Sequence, residues 1–157
     1  MIERELKIKY AEFSSLEELE TDDRLLAQSA IEAIAGAYAP YSHFHVGAAV
    51  RMSGGAVVKG ANQENAAYPS GLCAERTAMF AAGAAYPDQN MVSIAVAAEQ
   101  NGHLCPSPAA PCGACRQVMA QYQTKSGLPI PVILVGSEKI LKFSCVDDLL
   151  PFIFDNI

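Results

Sequence analysis

Three cysteines constrain this chain more tightly than any other feature. Cys73 stands in Cys73-Ala74-Glu75, and the other two stand in Pro111-Cys112-Gly113-Ala114-Cys115. Each motif opens a stretch with helical spacing. Residues 73–85 are rich in Ala with Met79 and Phe80, and from Cys112 to about Tyr122 the residues Val118, Met119 and Tyr122 share one face. An i, i+3 pair in a first helical turn can direct both sulfurs at one point. The free N–H groups and positive dipole end of each helix favour thiolates there. The interval between the motifs has room for one helix, one strand and a loop, a β-α-β-α step that brings two helix starts together.

The rest of the chain fits that step. Thr21-Asp22-Asp23 is an acidic helix start; Ala27, Ala30, Ile31, Ile34, Ala37 and Tyr38 follow at helical spacing, and Pro40 ends the run. Residues 46–50 and 56–59 are expected as two strands around Ser53-Gly54-Gly55. Residues 92–98 are expected as a buried strand and 99–111 as a loop punctuated by Gly102, Pro106, Pro108 and Pro111. Strands follow at 131–135 and 140–143, and Ser144 caps a last helix ended by Pro151. Strands alternating with helices predict a layered α/β sheet with at least one antiparallel pair. Residues 1–20, charged and weakly periodic, form an N-terminal extension (an extra strand or arm) on a domain spanning 21–157.

With 157 residues the chain is sized for one domain. Hydrophobic residues at 51% against 18% charged exclude a disordered chain. Seventeen acidic against eleven basic residues give −6, the wrong sign for tracking a nucleic-acid backbone. Neither a run of apolar residues long enough to cross a bilayer nor a signal-peptide pattern is present, so a soluble protein of a reducing, cytoplasmic compartment is expected. Five cysteines, an odd number, make a poor disulfide set there. Metal binding or catalysis is the first expectation.

Three thiolates at one point make a zinc site short of a fourth protein ligand. Structural zinc is normally closed by four, whereas catalytic zinc keeps a place for water. No fourth Cys or His stands at structural-zinc spacing, so the open site is favoured. Glu75, two positions from a thiolate, is a poor ligand but is well placed to move a proton from water on the metal to a substrate. Three thiolates on zinc leave a net −1. Arg76, and Arg116 beside Cys115, are expected to offset it, with Arg76 hydrogen-bonding a ligand sulfur. Against this stand a closed structural site, plain buried thiols, and a redox pair at Cys112 and Cys115. The redox pair leaves Cys73, Glu75, Asn62 and Glu64 without a task. A ligand-x-Glu followed by Pro-Cys-x-x-Cys is the zinc deaminase pattern.

Taken with further blocks, the chain resembles the cytidine deaminase family in its small homotetrameric form. Those blocks are Ala39-Pro40-Tyr41-Ser42-His43-Phe44 with Val46-Gly47-Ala48-Ala49, Asn62-Gln63-Glu64-Asn65-Ala66-Ala67-Tyr68, Cys73-Ala74-Glu75-Arg76-Thr77-Ala78, 111–117 and Leu149-Leu150-Pro151. The likeness covers about 25–154 and departs from the family at His45, where a proline is usual, and in a longer loop at 105–110. It implies a three-layer α/β/α fold with a mixed sheet of about five strands and helices on both faces. It also implies one zinc per subunit on Cys73, Cys112 and Cys115, and Glu75 as proton shuttle. Asn62 and Glu64 would bind the ribose hydroxyls, and Phe44 would pack on the pyrimidine. Ala66, Tyr68 and Phe154 (with Phe152 as competitor) would reach a neighbouring subunit's site in a homotetramer. The implied reaction is hydrolytic deamination of cytidine and 2′-deoxycytidine in pyrimidine salvage, with a small nucleoside as substrate and no nucleic-acid or membrane partner. A polynucleotide-editing deaminase would want a basic, aromatic surface. A blasticidin-type deaminase would not be expected to carry Asn-x-Glu-Asn, and a zinc-stabilised binding module would have no turnover.

Overall fold

A computed structural model describes residues 1–155. The strands are β1 (Tyr10–Phe13), β2 (Phe44–Met52), β3 (Val57–Ala61), β4 (Met91–Gln100), β5 (His103–Leu104), β6 (Val132–Val135) and β7 (Ile140–Phe143). The helices are α1 (Thr21–Ala33), α2 (Ala74–Ala85) and α3 (Gly113–Ser126). One sheet runs β1-β7-β6-β4-β2-β3, with β5 paired to β4. All its pairs are antiparallel except β4 with β6, where Ile94 lies opposite Val132 and Ala97 opposite Val135. That parallel pair requires a crossover, and α3 supplies it.

Alternation along the strands divides the core into two layers. Ala48, Val50 and Met52 of β2, Ile94 and Val96 of β4 and Val132 and Leu134 of β6 pack with Ala78 and Met79 of α2 and Met119 of α3. The intervening residues Ala49, Ala95, Ala97, Ile133 and Val135 meet Leu26, Ala27 and Ala30 of α1 on the opposite face. Side chains on the α1 side are small, so that helix lies close to the sheet. A Cβ on Gly47 would stand 2.2 Å from the Ala30 carbonyl oxygen. On the other face a Cβ on Gly60 of β3 would stand 2.4 Å from the Ala78 nitrogen of α2. The three-layer α/β/α expectation therefore holds.

The sheet has seven strands rather than about five. The two extra strands are β1, drawn from the extension, and β5, which forms within the expected loop where Asn101 and Gly102 take positive φ and turn the chain back on β4. Leu19 is buried against α1, and Asp23 in the first turn of α1 pairs with Lys142 of β7. Residues 10–23 are thus sewn to the sheet. The expected last helix after Ser144 is only a 3-10 turn, Val146–Asp148. Pro151 disfavours the helical conformation in Leu150, and the Leu149 carbonyl is taken by the Arg116 side chain. The first helix likewise stops well before Pro40, passing into a 3-10 turn at Ile34–Gly36.

Gly60 sets how closely α2 approaches the sheet. Gly60→Ala must push the α2 backbone outward, and overpacking of this kind costs about 1–3 kcal/mol. Urea unfolding should show a loss in that range, while Gly55→Ala at an open turn with φ +89° tests backbone strain without any clash. A Gly60→Ala variant as stable as the parent would contradict the close packing.

Candidate active site

The crossover places two helix starts side by side. Cys73 is the N-cap residue of α2 and Cys112 that of α3, with Cys115 in the first turn of α3. The Cys73 and Cys112 sulfurs are 3.8 Å apart and those of Cys112 and Cys115 3.4 Å apart. All three lie within 4.8 Å of one another. Tetrahedral thiolates at the usual Zn–S length of about 2.3 Å would stand roughly 3.8 Å apart, so the donor set fits that ion. Cys115 is buried and Cys112 exposed, leaving one side of the sulfur triangle open.

The sulfurs do not ionise alike. Cys73 is held down to about 5, first by a hydrogen bond with Cys115 and then, against the opposing effect of burial, by Arg76. Cys115 is pushed up by that same hydrogen bond and by burial. Arg76 Nη2 donates to Cys73 Sγ at 3.5 Å. Arg116, expected with Arg76 to offset the thiolate charge, directs its donors to the backbone instead of to a sulfur. Its Nε donates to the Pro111 carbonyl at 2.8 Å and its Nη1 to the Leu149 carbonyl at 3.0 Å. Position beside a ligand does not decide direction, and among the described residues these carbonyls take no other donor.

Glu75 is 5% exposed in the first turn of α2. Burial raises its carboxyl above the ordinary range, with the Cys73 charge adding to the effect. It lines a cleft of about 270 Å³ together with Cys73, Cys112, Phe44, Asn62 and Glu64. Eight of the residues singled out in the sequence therefore converge, counting Cys115, buried beside the other sulfurs, and Arg76, which lines the adjoining cleft. A second cleft on the same side brings in Tyr68, edge-on to Tyr41 with ring centroids 6.3 Å apart. Ala66 lies exposed on the loop before Tyr68. Phe154 is on the exposed tail and borders neither cleft.

Asn62 and Glu64 are also structural. The Asn62 side chain accepts from the Val46 N–H at 2.8 Å and donates to the Phe44 carbonyl at 2.9 Å, which fixes the start of β2. Glu64 Oε2 accepts from the Tyr41 and Ser42 N–H groups at 2.9 and 3.2 Å, and the Ser42 hydroxyl donates to Oε1. This ties down a turn in which His43 has φ 53°. Ser42 was visible in the sequence without a role. Gln117 was missed outright: its amide donates to the Phe154 carbonyl at 2.8 Å and accepts from the Phe154 N–H at 3.2 Å. Alternating polar spacing on α3 gives no sign of such a contact.

Residues 20–128 match the family described as the cytidine and deoxycytidylate deaminase zinc-binding region. The chain is 50% identical over 102 residues to a cytidine deaminase of Halalkalibacterium halodurans, covering 64% of this chain and 71% of that protein. It is 39% identical over 134 residues to one from Sporosarcina psychrophila, covering 85% and 91%. The crystal structure of a cytidine deaminase from Burkholderia pseudomallei superposes with a TM-score of 0.71 at 41% identity, covering 83% of this chain and 97% of that one. No helix among the described residues is long and apolar enough to cross a membrane.

The Ser42 hydroxyl is the leading reason that the Glu64 carboxyl lies below its usual range, followed by the Tyr41 N–H. A depressed carboxyl favours the folded turn above the ordinary glutamate pKa of about 4.3, and that contribution is lost as pH falls through the lower folded value. In Ser42→Ala the Glu64 midpoint, followed by carboxyl-carbon NMR, should rise toward about 4.3. An unmoved midpoint would remove Ser42 from the turn.

Proposed function

The chain belongs to the cytidine and deoxycytidylate deaminase family, and on that premise we propose that it hydrolyses the C4 amine of free cytidine and 2′-deoxycytidine, releasing ammonia in pyrimidine salvage. The observation that carries this reading is a buried carboxyl, Glu75, opening on the same cleft as two of the clustered sulfurs and the Asn62 and Glu64 pair.

Cys73, Cys112 and Cys115 would hold one zinc ion per chain, whose contribution when bound is to acidify a water molecule at neutral pH. Everything else falls to the protein. The Glu75 carboxylate takes a proton from the attacking water and gives it to N3 of the base as oxygen bonds to C4. The remaining hydroxyl proton then passes through Glu75 to the amine, the C–N bond breaks, and ammonia leaves; water is consumed and the uridine keeps the proton on N3. A carboxyl raised by burial suits a group that must alternate between base and acid. Arg76 supplies positive charge at the Cys73 sulfur.

Phe44, half-buried at the cleft wall, offers a face for the pyrimidine. Asn62 retains one N–H and one lone pair beyond its two backbone bonds, and Glu64 Oε1, which accepts only from the Ser42 hydroxyl, has acceptor capacity left, which suits a sugar diol. Ala66, Tyr68 and Phe154 are all exposed on the single chain, as residues that complete a neighbouring site in a homotetramer would be. Among the described residues Gln117 holds the backbone of Phe154 and not that of Phe152.

The test is loss of ultraviolet absorbance on adding cytidine, deoxycytidine or cytidine monophosphate to zinc-loaded protein. Rapid loss with both nucleosides and little with the nucleotide is expected; zinc-loaded protein inert toward all three overturns the reading. Glu75→Ala should keep its zinc, by elemental analysis, and lose turnover by at least about 10²-fold, the usual worth of a general acid–base. Cys112→Ala should lose metal and activity together, and stoichiometric zinc in that variant would refute the ligand assignment.

A further inference from the structure

The extension has a pattern that nothing in the active site uses. Residues 2–10 are Ile2-Glu3-Arg4-Glu5-Leu6-Lys7-Ile8-Lys9-Tyr10. Leu6, Ile8 and Tyr10 alternate with Lys7 and Lys9, the two-residue period of a strand with one apolar face. Only from Tyr10 onward does this segment find a partner, pairing with Phe143 at the end of β7. Beyond Phe143 the chain leaves the sheet for the Val146–Asp148 turn, so β7 offers residues 2–9 nothing further to pair with. Those residues are exposed and have no assigned secondary structure. Ile2, Leu6 and Ile8 are 82%, 60% and 50% exposed. A strand-patterned segment continuing an edge strand, with open backbone groups and an apolar face, is a template for another strand.

The charges say which strand. In an antiparallel pairing of the segment with itself, centred on Leu6, Glu3 falls opposite Lys9 and Glu5 opposite Lys7. Ile2 falls opposite Tyr10, Arg4 opposite Ile8, and Leu6 opposite its own copy. All four charged residues on the odd face meet an opposite charge, which favours cross-strand pairs; on the even face Leu6 gains apolar cover from its copy, and the aliphatic stem of Arg4 lies against Ile8. Sliding the register by two in either direction sets like charges opposite each other or leaves Glu and Lys unmatched. An antiparallel pair of identical segments about a two-fold axis is also a closed, isologous contact.

We propose that residues 2–10 pair antiparallel with residues 2–10 of a second copy of this chain, about a two-fold axis at Leu6. The two sheets then join edge to edge through the arms that lead into their β1 strands. The Tyr10 ring, tilted on Phe143 at a centroid distance of 5.6 Å, anchors each end of the joint to its own sheet.

Directly opposed residues on antiparallel strands have Cα atoms about 4.5–5.5 Å apart, within the span of a disulfide. Under mild oxidation, full-length Leu6→Cys should therefore form a covalent dimer, seen on non-reducing gels, well above the parent with its native cysteines. Glu3→Cys and Lys9→Cys should each stay uncrosslinked alone and link when mixed. Adding Glu3→Lys and Glu5→Lys to Leu6→Cys should cut the dimer yield several-fold, and further adding Lys7→Glu and Lys9→Glu should restore it. The arm is exposed, so folding is unaffected, and deamination, read separately, tests a different claim. A Leu6→Cys yield equal to the parent overturns the pairing, leaving the arm solvated. Equal linking at all three positions, or no rescue by the charge swap, overturns the register.

Discussion

Three sulfurs gathered at the positive ends of two helices are the constraint on which the rest of the structure depends. Packed this closely they cannot all carry charge unaided, and the contrast between Cys73, driven toward the thiolate, and Cys115, driven away from it, expresses that conflict. Cationic charge resolves it, and Arg76 meets only part of the need. The fold exists to hold this unfavourable cluster in place. The β4–α3–β6 crossover presents one helix start, and the contact of Gly60 with the α2 backbone presents the other at matching depth. Neither start has a side-chain cap of its own. A cap would fill the space that the sulfurs occupy.

The layered α/β class and the pairing of Cys73 with Cys112 and Cys115 were legible because helical and strand periods are local and because i, i+3 geometry needs no tertiary information. What escaped was set by partners distant in the chain. The four residues of β1 are mostly exposed and carry no strong strand signal, and they become a strand because β7 presents an edge. A 3-10 turn at Val146–Asp148 stands where the sequence predicts a helix, and the chain leaving it is held by Arg116, some thirty residues earlier, at the Leu149 carbonyl. Charge at a position was readable in Arg116, but the direction of its guanidinium was not. Ser42 and Gln117 lie inside blocks that carry the family resemblance, yet act through contacts that folding creates.

Asn62 and Glu64 show why function and folding are hard to separate here. Each stands at the cleft, and each also holds backbone, Asn62 at the start of β2 and Glu64 at the turn that precedes it. Phe44 sits between those two supports, so the residues proposed to face a sugar also set the position of the ring proposed to face a base. Removing either would disturb both contacts at once, and a loss of binding in such a variant would not by itself identify a lost hydrogen bond to ligand.

Arg116 and Gln117 reach the tail solely through main-chain atoms, the Leu149 carbonyl and both backbone groups of Phe154. Every residue but proline offers those groups at 154, and every residue offers the carbonyl at 149. These polar contacts hold whatever side chain stands at 154, while Leu149, Leu150 and Ile153 pack their side chains on the core. The exposed side chain at 154 can therefore be exchanged without loss of these main-chain contacts, while the loop carrying Cys112 stays anchored by the same arginine.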